Sequence, residues 1–484
     1  MNLKELFQNW GLEFLILGWF FFVLYPFGPA ITFDSVSFIQ AGENFWSGNG
    51  YVHSGSNGLE FAAHRFPIYP LILGLIGNTP WMLLVLQFLL FTVSLFAFRY
   101  LLKLLEAPRY FLTIFALSSL LVNYYCLWTE GLYGLLFILL FIQLKKEENF
   151  RPIVWVGVVV GFLCLTKMVG LVCGGALLMA YLFQKRYLRG FLIVVLSISV
   201  IIFWTLLGVS YLGETARVVE FHPIGFQDVK GVFQALGDVL LPLNSSSYLA
   251  IVLGVILFVF PLIYLIKHWK IKEQLSLLEW FLLIHFYGYI AFILLSKMFI
   301  DASIPIEIRT FFPLYLNLFV LAVLAIKAEG FTANLKHKLN YLLPKLILLF
   351  VGWNCFGLLD FRTVGVGYNS ADWQSFEFTS AISRLDAEVV YTNDQAALNY
   401  FSDFRLNPKL LAEKQNLYTL QNNPLFQEEM DGILGEVASI AAARIVWIRN
   451  GITQNVYPTY EELKENDRLE IVYDDWLCLI LKAK

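Results

Sequence analysis

One long polar segment, residues 29–65, carries charged side chains that a simple connector between apolar runs would not need. At helical spacing Asp34 and Ser37 share a polar side with Gln40 or Ala41 and with Asn44, whereas Val36, Ile39 and Trp46 face the other way. This pattern is typical of a helix lying in the membrane interface. A carboxylate there is placed for catalysis at the membrane surface, or more simply for capping the helix N-terminus.

The same segment leads into His64-Arg65-Phe66-Pro67-Ile68-Tyr69-Pro70, in which two prolines restrict the backbone. This places a cation, Arg65, and a phenol, Tyr69, just above the bilayer. A guanidinium binds phosphate oxygens bidentately, and at the interface it reaches a lipid headgroup without entering hydrocarbon. The pattern suits a phosphate, and the alternative is an arginine that anchors the chain at the interface.

Three more charged residues interrupt or precede apolar runs: Glu130, Lys167 and Arg309. Glu130 and Lys167 fall at expected tight turns between paired spans, where an ordinary solvated charge is the alternative. Arg309 with Lys297 could be plain flanking charges, but positive charge on the outer side runs against the positive-inside rule and suits a phosphate role. His64 and Glu60 are candidates for a divalent metal, although lone His and Glu side chains in a loop usually bind none, so we expect no required cofactor.

Membrane spans must position these residues, because 58% of the chain is hydrophobic and only 15% is charged. The mean hydropathy of +0.66 excludes an ordinary soluble protein. No basic patch indicates nucleic acid as a partner. The five cysteines form no CxxC pair, which argues against a zinc site or a disulfide framework.

Two apolar stretches, 110–143 and 153–184, are each bounded by basic residues and would be about 50 Å long as single helices. Each is better interpreted as two crossings, with turns near Trp128-Thr129-Glu130 and Thr166-Lys167. We therefore predict an α-helical polytopic membrane protein with about eleven transmembrane helices. The predicted spans are 11–28, 80–101, 110–126, 131–144, 153–165, 168–184, 190–212, 247–267, 278–297, 310–327 and 339–359.

The basic clusters between these spans alternate with loops poor in Lys and Arg, which predicts a cytoplasmic N-terminus. An odd number of spans then leaves the C-terminus outside the cytoplasm. The first apolar run also resembles a signal peptide, but Gly28-Pro29-Ala30 is a poor cleavage site, so we expect an uncleaved span. We predict a bacterial-type inner membrane protein whose C-terminal domain is periplasmic.

After about Phe361 the composition becomes that of a soluble protein. Apolar runs at 389–391 and 445–448 predict strands, and 371–385 and 424–442 predict helices. A last pair of apolar runs predicts a hairpin around Asp474-Asp475. The division is therefore a transmembrane domain, 1–360, with its first outside loop at 29–67, and a small α/β domain at 361–484.

Several motifs together carry a family resemblance: Asp34 after the first span, Gly48-Asn49-Gly50-Tyr51, Arg65-x-Pro67-x-Tyr69-Pro70, Glu130 opening a span, Leu165-Thr166-Lys167, and Arg309-Thr310-Phe311-Phe312-Pro313. The chain resembles the GT-C membrane glycosyltransferases, and within them the group of aminoarabinose transferases and protein mannosyltransferases. The resemblance covers roughly the first 330 residues, where the spans lie.

This resemblance implies transfer of a sugar from a polyprenyl-phosphate donor to a lipid, protein or glycan acceptor on the periplasmic face, with inversion at the anomeric carbon. Asp34 would act as general base, with Glu130 as a second catalytic acidic residue. Arg65, Tyr69, Lys167 and Arg309 would bind the donor phosphate. Neither the sugar nor the acceptor follows from these motifs.

Two other classes fit parts of the pattern. A transporter or flippase of a lipid-linked substrate would also be polytopic, but such proteins usually place ionisable groups near the midplane and show repeated halves. A sensor that uses its spans as an anchor would not need so many. Deleting the soluble domain separates enzyme from sensor, because an enzyme can keep residual turnover whereas a sensor should lose its response.

Overall fold

The chain is mostly helical, with a single larger sheet near its C-terminal end. The computed structural model describes residues 3–55, 58–62, 64–147, 153–212, 221–243, 246–270, 274–301, 303–327, 345, 348–374, 377–415, 421–449 and 456–484. The helices before the sheet domain are α1 (Leu3–Leu24), α2 (Phe33–Trp46), α3 (Ile68–Ile76), α4 (Pro80–Leu104), a 3₁₀ helix (Arg109–Ala116), α5 (Ser118–Tyr125), α6 (Thr129–Glu147), α7 (Ile153–Thr166), α8 (Gly170–Phe183), α9 (Tyr187–Leu212), α10 (Phe226–Gly237), α11 (Ser247–Lys270), α12 (Leu277–Phe299), α13 (Ile308–Lys327) and α14, whose described part covers 348–357.

Five of these helices are long and apolar enough to cross a bilayer: α4, α9, α11, α12 and α13. Three shorter apolar helices lie at Asn9–Leu24, Ile153–Thr166 and Gly170–Phe183. The chain is therefore a multi-pass membrane protein, and the predicted helical membrane class is confirmed. The two predicted turns are found as well, because α5 and α6 are separated at 126–128, and α7 and α8 at 167–169.

One predicted span, 110–126, is not a single helix. It forms the 3₁₀ helix and α5, and the backbone is extended at Leu117 between them. The side-chain oxygen of Asn354 in α14 accepts a hydrogen bond from the Ser118 backbone N–H at 3.1 Å, which caps α5 from outside its own chain segment. The predicted span 339–359 lies only partly within the described residues, and its described part at 348–357 is helical.

Helix α2 packs closely on α3 through two glycines. A Cβ atom at Gly42 would lie 2.0 Å from the Pro70 carbonyl oxygen, and one at Gly74 would lie 2.1 Å from the Gly42 carbonyl carbon. Only residues without side chains allow this approach. A short hairpin, β1 (Val52–Gly55) with β2 (Gly58–Phe61), completes the loop between α2 and α3.

The C-terminal region contains a five-stranded mixed sheet with strand order β4-β3-β5-β7-β6. Strand β3 is parallel to β4 and β5, whereas β7 is antiparallel to β5 and β6. The remaining elements are α15 (Leu359–Thr363), α16 (Ala371–Gln374), α17 (Glu377–Ser383), β3 (Val389–Thr392), α18 (Gln395–Phe401), β4 (Lys409–Leu410), α19 (Phe426–Ser439), β5 (Ala443–Ile448), α20 (Tyr460–Lys464), β6 (Leu469–Asp474) and β7 (Cys478–Ala483).

Alternate residues of β5 belong to two different cores. Val446 and Ile448 join the large core that continues into the membrane helices, whereas Ile445 and Trp447 pack in a separate core with α19. Side chains of a strand point alternately to opposite faces, so the sheet is buried on both sides. One face of the C-terminal sheet is thereby fixed to the membrane part of the molecule.

Candidate active site

Five charged side chains from five chain segments meet in one group, which we call the charge cluster: Asp34, Arg65, Glu130, Lys167 and Arg309. Asp34 accepts hydrogen bonds from Arg65, at 2.8 Å between Oδ1 and Nη1, and from Arg309 Nη1 through Oδ2. Glu130 accepts from Arg309 Nε at 2.9 Å and from Lys167 Nζ at 2.6 Å. Arg309 therefore bridges the two carboxylates.

The two acids of the charge cluster differ in exposure. The Glu130 side chain is 2% exposed, whereas the Asp34 side chain is 23% exposed and those of its two arginines 21% each. Burial disfavours the charged form of Asp34, but Arg65 and Arg309 outweigh it and hold the pKa of this carboxyl well below its usual range. Asp34 is therefore ionised and reachable, and Glu130 lies beneath it.

The backbone that leads into α2 is fixed by the turn between α5 and α6. The Ala30 N–H donates to the Tyr125 carbonyl at 3.0 Å, and the Leu127 N–H donates to the Ala30 carbonyl at 3.0 Å. The Trp128 indole N–H donates to the Thr32 hydroxyl at 2.9 Å, next to the first residue of α2. This turn also supplies Glu130, so one connection positions both acids of the charge cluster.

A second clamp on the same backbone comes from residues 367–369. The Ile31 N–H donates to Asn369 Oδ1 at 3.1 Å, and the Tyr368 N–H donates to the Ile31 carbonyl at 2.8 Å. Gly367 has φ of +79°, and a Cβ there would lie 2.2 Å from the Ile31 carbonyl oxygen. Asp34 is thus positioned by the chain that enters the C-terminal domain. The sequence analysis missed this contact. The signal that could have indicated it is the pair Gly365-x-Gly367, near the point where the composition becomes that of a soluble protein.

Aromatic rings support the two arginines. The Arg65 guanidinium lies 5.2 Å from the centroid of Phe38, and the Tyr51 hydroxyl donates to the Arg65 carbonyl at 2.6 Å. The Arg309 guanidinium lies 4.7 Å from the centroid of Trp128. Rings at these distances attract a guanidinium and restrict its rotamers, so the cations are held in place before any ligand arrives.

Tyr69 is not among the groups that the structure brings to the exposed side of the charge cluster. Its side chain is completely buried, and its hydroxyl accepts a hydrogen bond from Gln87 Nε2 at 2.9 Å. The same amide nitrogen donates to the Cys126 carbonyl at 3.0 Å. The ring packs against Phe38 and its hydroxyl bonds to α4, and the phosphate contact of Tyr69 stays a prediction.

The candidate metal ligands are placed differently from the charge cluster. Glu60 lies in β2 opposite His53, and His64 is exposed after the hairpin. In the parts of the chain that the structure describes, no three His, Cys, Asp or Glu side chains group as a metal site would require. Burial, with a further contribution from Arg65, lowers the pKa of His53 to about 4, so this ring is neutral near pH 7.

A buried polar contact joins α2 to the C-terminal domain. Gln40 Nε2 donates to the Ser54 hydroxyl at 2.8 Å, and Asn399 Nδ2 in α18 donates to the same oxygen at 3.1 Å. The Ser54 hydroxyl also lies 3.2 Å from Asn407 Oδ1. These residues explain why Gln40, expected on a polar face, is instead buried.

No protein-family model matches the chain, and no curated protein matches its sequence. Among solved structures it is similar to ArnT from Cupriavidus metallidurans, whose structure is described as bound to undecaprenyl phosphate. The match has a TM-score of 0.60 at 13% sequence identity and covers 98% of each chain. The chain therefore has an ArnT-like fold, and the resemblance to GT-C glycosyltransferases is confirmed for the fold.

Proposed function

We propose that this protein is a membrane glycosyltransferase that moves a sugar from a polyprenyl-phosphate donor to an acceptor hydroxyl. The observation that carries the proposal is the charge cluster, in which Asp34 meets Arg65 and Arg309 from distant segments. The ArnT-like fold supports it, since that protein is described as bound to undecaprenyl phosphate. ArnT also supplies the chemical class of the donor in this proposal.

Charge balance fits a phosphodiester donor. The charge cluster holds three cations and two carboxylates, a net charge of +1. A sugar phosphodiester carries one negative charge, and its leaving group gains a second as the glycosidic bond breaks. Preorganised guanidinium groups stabilise charge that grows in the transition state, which is where Arg65, Arg309 and Lys167 would act.

Asp34 is assigned as general base. The donor phosphate would draw Arg65 and Arg309 toward its own oxygens, which weakens their ion pairs with Asp34 and frees the carboxylate for a proton. The acceptor hydroxyl gives this proton to Asp34 while its oxygen attacks the anomeric carbon. Attack opposite the leaving phosphate inverts that carbon, and the polyprenyl phosphate departs with the bonding electrons.

Glu130 has a different role from the one first assigned to it. Its carboxylate is buried and already accepts from two cations, so it positions Arg309 and Lys167 and does not exchange protons with an acceptor. Tyr69 and Gln87 pack beneath the charge cluster. We assign the C-terminal domain the task of holding α2 and covering the site.

We place the reaction on the periplasmic face of a bacterial-type inner membrane, with the N-terminus cytoplasmic. The support is the distribution of Lys and Arg, which concentrates in the connections at the other ends of the helices. The acceptor is a lipid, a protein or a glycan. A lipid-linked substrate carrier remains the competing class, and it would move undecaprenyl phosphate across the bilayer without transferring a sugar.

Asp34→Asn tests the assignment. The variant keeps the size of the side chain and removes its charge, so transfer of radiolabelled sugar from the membrane carrier pool should fall by a factor of about 100 or more. Asp360→Asn is the matched control, because Asp360 is an exposed aspartate in α15. Both variants should accumulate to normal levels in membranes.

Undiminished transfer by Asp34→Asn would reject the general base. Binding of undecaprenyl phosphate to purified protein is measured separately, with Arg309→Gln as the variant expected to weaken it. Binding without any transfer, together with movement of labelled carrier lipid across vesicles, would favour the transport class. Mass spectrometry of membrane lipids from cells lacking the protein would identify the donor by its accumulation.

A further inference from the structure

A cavity lies at the far end of the helix bundle from the charge cluster. It has a volume of about 740 Å³ and opens between the ends of α8 and α11 and the start of α12. Helix α8 begins just after Lys167 and ends before this cavity, which separates the two sites by about 21 Å of helix. The cavity is therefore on the opposite membrane face from the proposed active site.

The charged groups of this cavity are all of one sign. Lys185 and Arg186 line it, and none of the described residues that line it is acidic. In the described part of the chain neither side chain forms an ion pair. The nearby Glu279 on α12 accepts from the Ser276 N–H at 2.8 Å and from the Tyr264 hydroxyl, so its oxygens are engaged at the helix start.

The lysine occupies a backbone position that normally favours glycine. Helix α8 ends with the Arg186 N–H bonded to the Tyr181 carbonyl and the Lys185 N–H bonded to the Leu182 carbonyl, and Lys185 has φ of +60°. Such a helix ending is usually made with glycine, because a Cβ in the left-handed region costs about 1 kcal/mol. A cationic side chain thus stands at a backbone position that glycine would occupy with less strain.

One part of the cavity wall is apolar, beside the polar and cationic residues. Phe183 and Trp280 stack at 4.3 Å between ring centroids, with Leu275 beside them. Trp269, at the end of α11, is 81% exposed. Helices α9 and α11 are the least buried of the candidate spans, at 22% each, so hydrocarbon chains can lie along them below the cavity.

We propose that this cavity binds an anionic glycerophospholipid, independently of the reaction at the charge cluster. Lys185 and Arg186 bind the phosphodiester and its headgroup, since cations near the membrane surface attract anionic lipids. The stacked aromatic pair and Leu275 contact the glycerol and the upper acyl carbons. A lipid would contact both the cations and the apolar residues of the cavity, whereas a soluble phosphate would contact only the cations.

The test uses full-length protein in nanodiscs of phosphatidylcholine that contain a minor fraction of phosphatidylglycerol. Native mass spectrometry then measures the phosphatidylglycerol retained per protein. The double variant Lys185→Gln with Arg186→Gln should retain about tenfold less. The matched control is Lys103→Gln with Lys146→Gln, which removes two exposed cations at the same face and should change retention by less than about twofold.

The proposal would be overturned if the Lys185→Gln, Arg186→Gln variant retained as much phosphatidylglycerol as the natural protein. It would also be overturned if the control double variant lost as much. Lys185→Gly gives a second readout, because glycine relieves the left-handed backbone while removing the cation. It should raise the melting temperature and lower retention together. In a third experiment, glycerol 3-phosphate is added to protein in nanodiscs of pure phosphatidylcholine. If it bound at the cavity and phosphatidylglycerol were not preferred over phosphatidylcholine there, the assignment to a lipid would be overturned.

Discussion

Asp34 and Glu13 are two carboxylates that are each paired with two arginines, and the groups around them are built in opposite ways. In the charge cluster the acid, Asp34, is partly exposed. In the second group, which we call the inner cluster, Glu13 of α1 is 1% exposed and is paired with Arg99 at 3.1 Å and Arg109 at 2.6 Å. Each acid has ion pairs with two arginines, so the exposure of the acid is what distinguishes the two groups.

The inner cluster joins three elements that follow one another around the bundle. Glu13 comes from α1, Arg99 from α4, and Arg109 from the 3₁₀ helix, and the Arg99 guanidinium also lies 3.6 Å from the centroid of Trp10. Its carboxylate is sealed off from ligands, and its two arginines are partly buried. This arrangement is suited to fastening helices together, whereas an exposed acid above a buried one is suited to chemistry.

Glu13→Gln should lower stability and leave transfer nearly unchanged, whereas Asp34→Asn should do the opposite. This contrast between the two variants is the largest effect that we expect. Removing the buried charge leaves two arginines without their partner and should lower stability by about 2 kcal/mol. Transfer per folded molecule should stay within about twofold of normal, because the inner cluster shares no residue or ion pair with the charge cluster. Thermal unfolding in detergent and transfer assays on the same preparation measure both quantities. A large loss of transfer with unchanged stability would remove the distinction between the clusters.

Arg65→Gln should change the pH dependence of transfer. Arg65 is one of two cations that lower the pKa of Asp34 against the effect of burial, so its loss raises that pKa. The base proposed for Asp34 works only when ionised, so we expect activity to be lost as pH falls through the raised pKa. We expect kcat/KM to be flat for the natural protein between about pH 5 and 8, and to fall at the acidic end in the variant. An unchanged profile would show that Arg65 does not control this carboxylate.

Asn369→Ala should have the smallest effect of the three. Asn369 holds the backbone before Asp34 but does not touch a reacting group, so its loss shifts the acid without removing it. Transfer should fall about tenfold through misplacement, while binding of undecaprenyl phosphate stays near normal. Asn423→Ala is a matched control elsewhere in the C-terminal domain, where Asn423 bonds the Glu413 carbonyl at 2.9 Å. Equal effects of both variants would indicate general destabilisation of that domain.

Hydropathy and charge placement predicted most of the helices, because long apolar runs have few alternatives in a membrane. The same reasoning predicted tight turns near Glu130 and Lys167, and the structure places Lys167 in such a turn and Glu130 in the first turn of the helix that follows one. It failed at 110–126, since the hydrogen bond from Ser118 to Asn354 joins residues 236 positions apart. Tertiary contacts of that separation leave no local pattern.

For the charge cluster, the residue types and their positions predicted which side chains belong to the site. They did not predict which side chains pair with each other. The sequence indicated Asp34, Arg65 and Arg309 separately, but not that Arg309 would bridge both acids. The burial of Tyr69 was not visible in the sequence, because a proline-flanked phenol near a cation gives the same pattern whether its ring is buried or exposed. The roles of these residues remain predictions until the variants are measured.

The clamp at Ile31 has a consequence for biosynthesis. Its hydrogen-bonding partners include Tyr368 and Asn369, more than 330 residues later in the chain. While the ribosome is still adding the intervening helices, this segment lacks half of its restraints. The backbone beside Asp34 therefore acquires its full set of hydrogen bonds only after translation has passed residue 369.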